Sequence, residues 1–318
     1  MRVLFWGTPE FATASLRALI GEGFDVVGVV TQPDKAVGRS RSALQPSPVK
    51  KVALAEGIPV LQPARPRGDD AFLAEVTALA PDVSVVVAYG HILPRAVIDL
   101  PRLGTLNIHA SLLPAYRGAA PIQAAIRDGI GETGVTIMQM VPALDAGPIV
   151  HTVRTRIFDD ETSLELSLRL SELGANALIE ALALLELGKA QPVPQDERLA
   201  TYAGKLTRES AQVDWTLTAH EVSRHIRAYD PKPGAWTTVR GGGVKLFGVR
   251  IAPRGTTHAA GEVLAIDDAG LLVACGAAAV RVLAVQPSGK RQLSPADWAH
   301  GRGIAVGDRF DTALESPS

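Results

Sequence analysis

Along the first two hundred residues, short apolar runs alternate with stretches of helical spacing. Residues 2–7 form an apolar run that breaks at Gly7-Thr8-Pro9, and Phe11, Leu16, Leu19 and Ile20 then share one face of a helix predicted over 9–19. Pro9 suits a first helical turn, where its missing N–H costs nothing. β-Branched runs follow at 25–31 (DVVGVVT) and 82–89 (DVSVVVAY), with further strands expected at 104–109 and 134–140 and a long Leu-rich helix at 163–187. Unbroken Val runs suit strands covered on both faces. The pattern therefore predicts an α/β domain over 1–189, a mostly parallel sheet with flanking helices.

The style changes after Gly188. Gln191, Pro192, Pro194 and Gln195 show no apolar period, so an extended, exposed linker is expected, with bounds of 190–206. Beyond it, a helix at 219–228 precedes short runs at 236–240, 244–249, 261–266, 271–274 and 280–285, separated by Gly, Pro and Asp turns. Short strands at this spacing predict a small β-barrel over 207–318.

Composition narrows the classes. Of 318 residues, 47% are hydrophobic and 20% charged, which places the chain among globular proteins. A single cysteine, Cys275, excludes an intramolecular disulfide framework and a Cys-rich metal site, and fits a reducing compartment. The histidines lack paired ligand spacing, so no metal is expected. The N-terminal apolar run is too short for a signal peptide, and no stretch approaches the roughly 18 apolar residues of a membrane span. The expectation is a cytoplasmic monomer with no membrane partner. Net charge is −1, so the chain as a whole does not advertise a nucleic-acid partner. Locally it does: residues 35–67 hold seven basic residues and one acid, Glu56. The segment Gly38-Arg39-Ser40-Arg41-Ser42 reads as a basic loop, either a solvated face or an element that closes on phosphates.

The first strand–helix turn does not read as a dinucleotide site. Trp6-Gly7-Thr8-Pro9-Glu10-Phe11 has one glycine where the pyrophosphate fingerprint needs three, and Glu10 would repel a phosphate. No NAD is expected. More informative is Asn107-Ile108-His109 at the end of a predicted strand, where alternation projects Asn107 and His109 from one face. Strand ends are where open parallel sheets bind ligands. A structural histidine would explain His109 alone, and an ordinary turn would explain Asp145 in Leu144-Asp145-Ala146-Gly147-Pro148. Together the three residues describe a chemistry. Asn offers an amide donor to an oxyanion, His holds or moves a proton, and Asp orients the imidazole. With no Gly-x-Ser-x-Gly element, the group suits direct attack by a substrate amine on an activated acyl carbon.

The residues that carry this group also carry a resemblance. Phe5-Trp6-Gly7-Thr8-Pro9-Glu10-Phe11, Thr31-Gln32-Pro33-Asp34, Pro46-Ser47-Pro48-Val49-Lys50, Val87-Ala88-Tyr89-Gly90, Asn107-Ile108-His109-Ala110-Ser111-Leu112-Leu113-Pro114 and Arg117-Gly118-Ala119-Ala120-Pro121-Ile122 resemble the methionyl-tRNA formyltransferase family. So do Glu132-Thr133-Gly134-Val135-Thr136-Ile137-Met138, Asp214-Trp215, Ile226-Arg227-Ala228 and Gln286-Pro287-Ser288-Gly289-Lys290.

The resemblance implies a Rossmann-like catalytic domain followed by an OB-like barrel. It implies formyl transfer from 10-formyltetrahydrofolate to the α-amine of initiator methionyl-tRNA, with Asn107, His109 and Asp145 as the catalytic group. The pterin is then expected against Tyr89, Gly90 and Ile92, with Ser111, Leu112, Leu113 and Pro114 shaping the folate site. Lys35, Arg39 and Arg41 are expected on the tRNA, and the barrel is expected to give the acceptor arm a positive surface. Two other readings stay open on the residues: a folate-dependent formyltransferase acting on a small amine, and a non-catalytic RNA-binding protein.

Overall fold

The computed structural model describes residues 1–37, 43–252 and 257–312, so Arg39 and Arg41 lie outside the described residues. In chain order the elements are β1 (Arg2–Gly7), α1 (Thr13–Gly21), β2 (Asp25–Val30), β3 (Lys35–Val37), β4 (Ala43–Gln45), α2 (Pro48–Ala55), β5 (Val60–Leu61) and α3 (Asp70–Ala78). Next come β6 (Val83–Val87), α4 (Arg95–Ile98), β7 (Thr105–His109), β8 (Arg117–Gly118), α5 (Pro121–Asp128), β9 (Glu132–Gln139), β10 (Ile149–Arg156) and α6 (Ser163–Glu186). The remainder is β11 (Tyr202–Ala203), α7 (Ala219–Tyr229), β12 (Ala235–Val239), β13 (Gly242–Ala252), β14 (Val263–Asp267), β15 (Gly270–Ala274), β16 (Ala279–Pro287) and α8 (Pro295–His300).

Contacts divide the chain into two compact units. The first comprises 1–118, 132–156 and 167–202, and the second 119–131, 157–166 and 203–318. These units and the linear boundaries drawn from the sequence differ at 119–131 and 157–166. The reason is packing: within the second unit α5 lies against α7.

In the first unit seven strands run β10-β9-β7-β6-β1-β2-β5. The ladders from β5 to β7 are parallel, and β9 and β10 join antiparallel. Every residue of β6 is buried, as an unbroken Val run requires of a strand covered on both faces. On one face, Trp6 meets Phe72 at 5.8 Å and Tyr89 at 5.4 Å, both edge-on, amid Leu4, Val30, Val76, Leu93 and Val97. Ser47 caps α2 by accepting from Lys50 N at 3.0 Å, and Pro48 occupies the first helical position. The chain runs from β1 to β2 and β5 in one direction, then returns to build β6 and β7 on the other side of β1. The crevice of an open sheet lies at such a reversal, outside the carboxyl ends of the strands. Here those ends are Gly7, Val87 and His109.

In the second unit five antiparallel strands run β12-β13-β16-β15-β14. No ladder joins β14 to β12 among the described residues; an irregular segment spans the gap. Val263 N donates to Asp308 O at 2.8 Å on one side, and Asp311 N donates to Thr238 O at 2.9 Å on the other. Phe310 stacks on Trp215 beneath this seam with centroids 5.4 Å apart. α7 begins with a capping box in which Thr218 and Glu221 bond each other's backbone, a Thr-x-x-Glu signature. No described helix is long and apolar enough to cross a membrane.

Candidate active site

β7 sets the first two groups. Its buried alternation puts His109 at the last strand position, 5% exposed, and leaves Asn107 half-buried. Asn107 lies opposite Val86 of β6, so the loop 88–93 that continues from β6 leaves the sheet beside it. Among the described residues, the Asn107 amide makes no hydrogen bond.

His109 is hydrogen-bonded through one ring nitrogen and faces a carboxylate with the other. Its Nε2 lies 2.9 Å from Tyr116 O, so that nitrogen carries a hydrogen and donates it. Nδ1 faces Asp145 Oδ2 at 3.7 Å. That gap is too long for a direct hydrogen bond and suits a third polar atom shared between them. The same Oδ2 accepts from Gly118 N at 2.8 Å, which anchors the carboxylate and leaves Oδ1 without a partner among the described residues. Asp145 adopts φ 49°, a left-handed conformation that Asp tolerates better than most residues. Gly147 in the same turn serves close approach, since an added Cβ would overlap the Gln139 carbonyl.

Three consecutive residues organise this corner. Tyr116 gives its carbonyl to His109, Gly118 gives its amide to Asp145, and Arg117 between them is 1% exposed. The Arg117 guanidinium takes Glu197 in a fork, with Nη1 and Nη2 each 2.8 Å from a carboxylate oxygen. Its Nε and Nη2 also donate to Gln195 Oε1 at 3.0 and 2.7 Å. Gln195 Nε2 in turn donates to Asp145 O and Gly147 O, both at 2.8 Å. Glu197 holds the Arg117 pKa above its ordinary value, and Arg117 holds the Glu197 carboxyl below the usual range. Sequence reasoning missed Gln195, Glu197 and the support role of Arg117. The linker expected to be extended and exposed is therefore tied through Gln195 to the turn that carries Asp145.

The loop after His109 is stiffened from below. Thr136 Oγ1 donates to Ser111 O at 2.7 Å and accepts from Leu113 N at 3.1 Å, while Ser111 Oγ donates to Ala115 O at 2.6 Å. The Ser111 hydroxyl is thus spent on the loop, and Leu112 and Pro114 remain half-buried with Leu113 beneath them.

Across the crevice the expected folate contacts divide. Ile92 is 86% exposed, an aliphatic side chain held in the open on the loop beyond β6. Gly90 has φ 91°, and an added Cβ would strike Gln32 Nε2, which donates to Tyr89 O at 3.0 Å. Tyr89 does not present its ring. It is 1% exposed in the core, and burial raises its phenol to about 12. Among the described residues the hydroxyl lacks a partner, and the carbonyl already accepts from Thr8 and Gln32.

Of the expected basic contacts, Lys35 is exposed at the start of β3, which pairs with β4. Lys50, counted in the same basic run, is neutralised locally: its Nζ lies 2.8 Å from Asp34 and 2.7 Å from Gln62 Oε1.

Comparison with known proteins agrees with this architecture. The family described as "Formyl transferase" matches residues 1–182, and "Formyl transferase, C-terminal domain" matches 205–303. A methionyl-tRNA formyltransferase of Aromatoleum aromaticum is 47% identical over 314 residues, covering 98% of both chains. One from Thiobacillus denitrificans is 46% identical over 311 residues, covering 98% of this chain and 99% of the relative. Among solved structures, HypX from Aquifex aeolicus in complex with tetrahydrofolic acid superposes with a TM-score of 0.66 at 22% identity, over 93% of this chain and 46% of that one. WlaRD, a sugar 3N-formyl transferase, gives 0.67 at 16% identity over 92% and 99%. At these identities the two structures share the fold.

Proposed function

The chain belongs to the methionyl-tRNA formyltransferases, folate-dependent enzymes of translation initiation, and from that premise we propose how this corner moves a formyl group. The donor is 10-formyltetrahydrofolate and the acceptor is the α-amine of methionine on initiator tRNA. The amine nitrogen attacks the formyl carbon, a new N–C bond forms, and negative charge gathers on the formyl oxygen. Asn107 donates its free amide N–H to that oxygen. His109 meets the substrate through Nδ1, because Nε2 is committed to Tyr116 O, and a proton on Nδ1 completes the oxyanion site. Asp145 Oδ1 is the atom free to accept the proton that the attacking amine sheds, directly or through water. The bond to N10 then breaks, and N10 takes up a proton as tetrahydrofolate leaves.

The observation that carries this reading is the pairing of His109 Nδ1 with an anchored Asp145 across 3.7 Å, beside an unbonded Asn107. The crevice also suits the donor: exposed Ile92 supplies an apolar wall for a flat ring, and the strand-end polar groups face the reacting carbon. Lys35, Arg39 and Arg41 supply affinity for the acceptor end. The same reading makes the protein a cytoplasmic monomer.

The test is an acceptor comparison. Incubated with formyl-folate, the protein is expected to formylate charged initiator tRNA and leave small amines untouched. Formylation of a small amine with none on the tRNA would assign the site to another acceptor class.

A further inference from the structure

Resting on the tRNA reading above, we propose that the second unit holds a pocket for one unpaired nucleotide of the tRNA, built around Trp236 and the turn Gln286-Pro287-Ser288-Gly289-Lys290. The cavity has a volume of about 490 Å³, within the range of small-ligand sites.

Its chemistry is that of nucleotide capture. The Trp236 indole is half-buried, and the Arg208 guanidinium lies over it at 4.9 Å, so a planar π surface and a cation stand together. Trp236 Nε1 donates to Arg208 O at 2.6 Å, which fixes the ring in its plane. Bases stack on such surfaces regardless of sequence. Lys245 and Lys290 line the same cavity, both exposed, and no carboxylate is among its described lining residues. Glu209, next to Arg208, is held by its own turn, where its backbone and Thr207 lower its pKa. Gln286 Nε2 donates to Lys290 O at 3.1 Å, leaving its amide oxygen free among the described residues to accept from a base edge.

Two glycines let the lining side chains pack closely against the backbone. Gly234 has φ 90°, and a Cβ there would press on Lys245 Cδ at 2.9 Å. A Cβ on Gly243 would lie 3.0 Å from Ser288 Oγ. A duplex presents phosphates to such a wall but cannot fill a concavity, whereas a base turned out of the stack stacks on Trp236 while its phosphate meets Lys245 or Lys290. The turn also belongs to the motifs that formyl transfer leaves without a task.

The experiment follows tryptophan fluorescence and formylation kinetics on the full chain. Trp6, Trp215 and Trp298 are buried, so a quench on adding uncharged initiator tRNA is expected from Trp236 and is expected to vanish in Trp236→Phe. Lys245→Gln with Lys290→Gln, both exposed and outside the core, should raise the tRNA KM about five- to tenfold with kcat unchanged at saturation. AMP at millimolar concentration should not quench. Normal formylation with no quench, and no KM change in the double variant, overturns the pocket while sparing the proposed function. Quenching by micromolar AMP but not by tRNA overturns it in favour of a free nucleotide. Failure to bind or formylate tRNA at all overturns both.

Discussion

The corner around His109 and the groove around Trp236 are made by opposite means. At the first, short hydrogen bonds fix the frame: Tyr116 O on the imidazole, Gly118 N on the carboxylate, Gln195 on the turn behind it. At the second, Lys245 and Lys290 are exposed, with Trp236 Nε1 bonded to Arg208 O and Lys245 Nζ bonded, among the described residues, only to the Pro233 carbonyl at the rim. The difference fits the tasks proposed for them. Stabilising an oxyanion depends on donors within tenths of an ångström, whereas attraction to phosphate falls off over a Debye length of about 8 Å and tolerates mobile side chains. A mutation in the corner should therefore act on kcat, and one on the basic surfaces on KM.

The contrast breaks most sharply at His109. His109→Ala should lower single-turnover formylation by roughly 10³-fold or more with tRNA affinity near wild type, and retention of a tenth of the rate would remove the imidazole from the chemistry. Asn107→Ala should cost about 10²–10³-fold in kcat, the usual loss for one oxyanion donor. Unchanged thermal unfolding would show that the loss is chemical. Gln195→Ala tests whether the linker steadies the catalytic turn. It strips two part-buried carbonyls and Arg117 of partners, so about 1–3 kcal/mol of stability and roughly tenfold in kcat should go together. A loss of stability with kcat intact would make Gln195 structural only.

On the basic side, Arg39→Gln with Arg41→Gln should raise the tRNA KM several-fold and make log KM less dependent on log salt, by about 0.7–0.9 for each phosphate left without its cation. The smallest effect concerns the core behind the crevice. The Tyr89 phenol is raised to about 12, above its ordinary value of 10. Ionising it inside the fold is costlier than ionising it in the open chain. Stability is thus unaffected by this group below pH 10 and declines as pH rises above that value toward 12. Spectrophotometric titration should show one tyrosine that ionises only near pH 12 until the fold is lost.

Much of the corner was legible because strand periodicity is short-range. The run at 82–89 and the pair Asn107 and His109 announced their places, and observed strand ends differ from the reading by a residue or two. The edge strand β10 was missed although Ile149-Val150-His151-Thr152-Val153-Arg154-Thr155-Arg156 alternates faces, because its polar positions hide the apolar ones. Arg117, Gln195 and Glu197 were illegible as a unit: Gln195 and Glu197 lie 78 and 80 positions beyond Arg117, and a polar residue in a proline-rich stretch looks solvated until its partner is found. The burial of the Tyr89 ring was illegible for another reason: its motif points to the ligand, while its bulk completes the packing around Trp6.

The way the second unit gathers its pieces bears on how this chain can be divided or exchanged. Because 119–131 and 157–166 belong with 203–318, no single cut releases that unit whole. A gene fragment beginning at Ala203 would leave the face of α7 that receives α5 uncovered, and the Asp230 carbonyl would lose the Ser163 hydroxyl, 2.8 Å away. Recombination between relatives would keep its grafts intact by moving all three segments together.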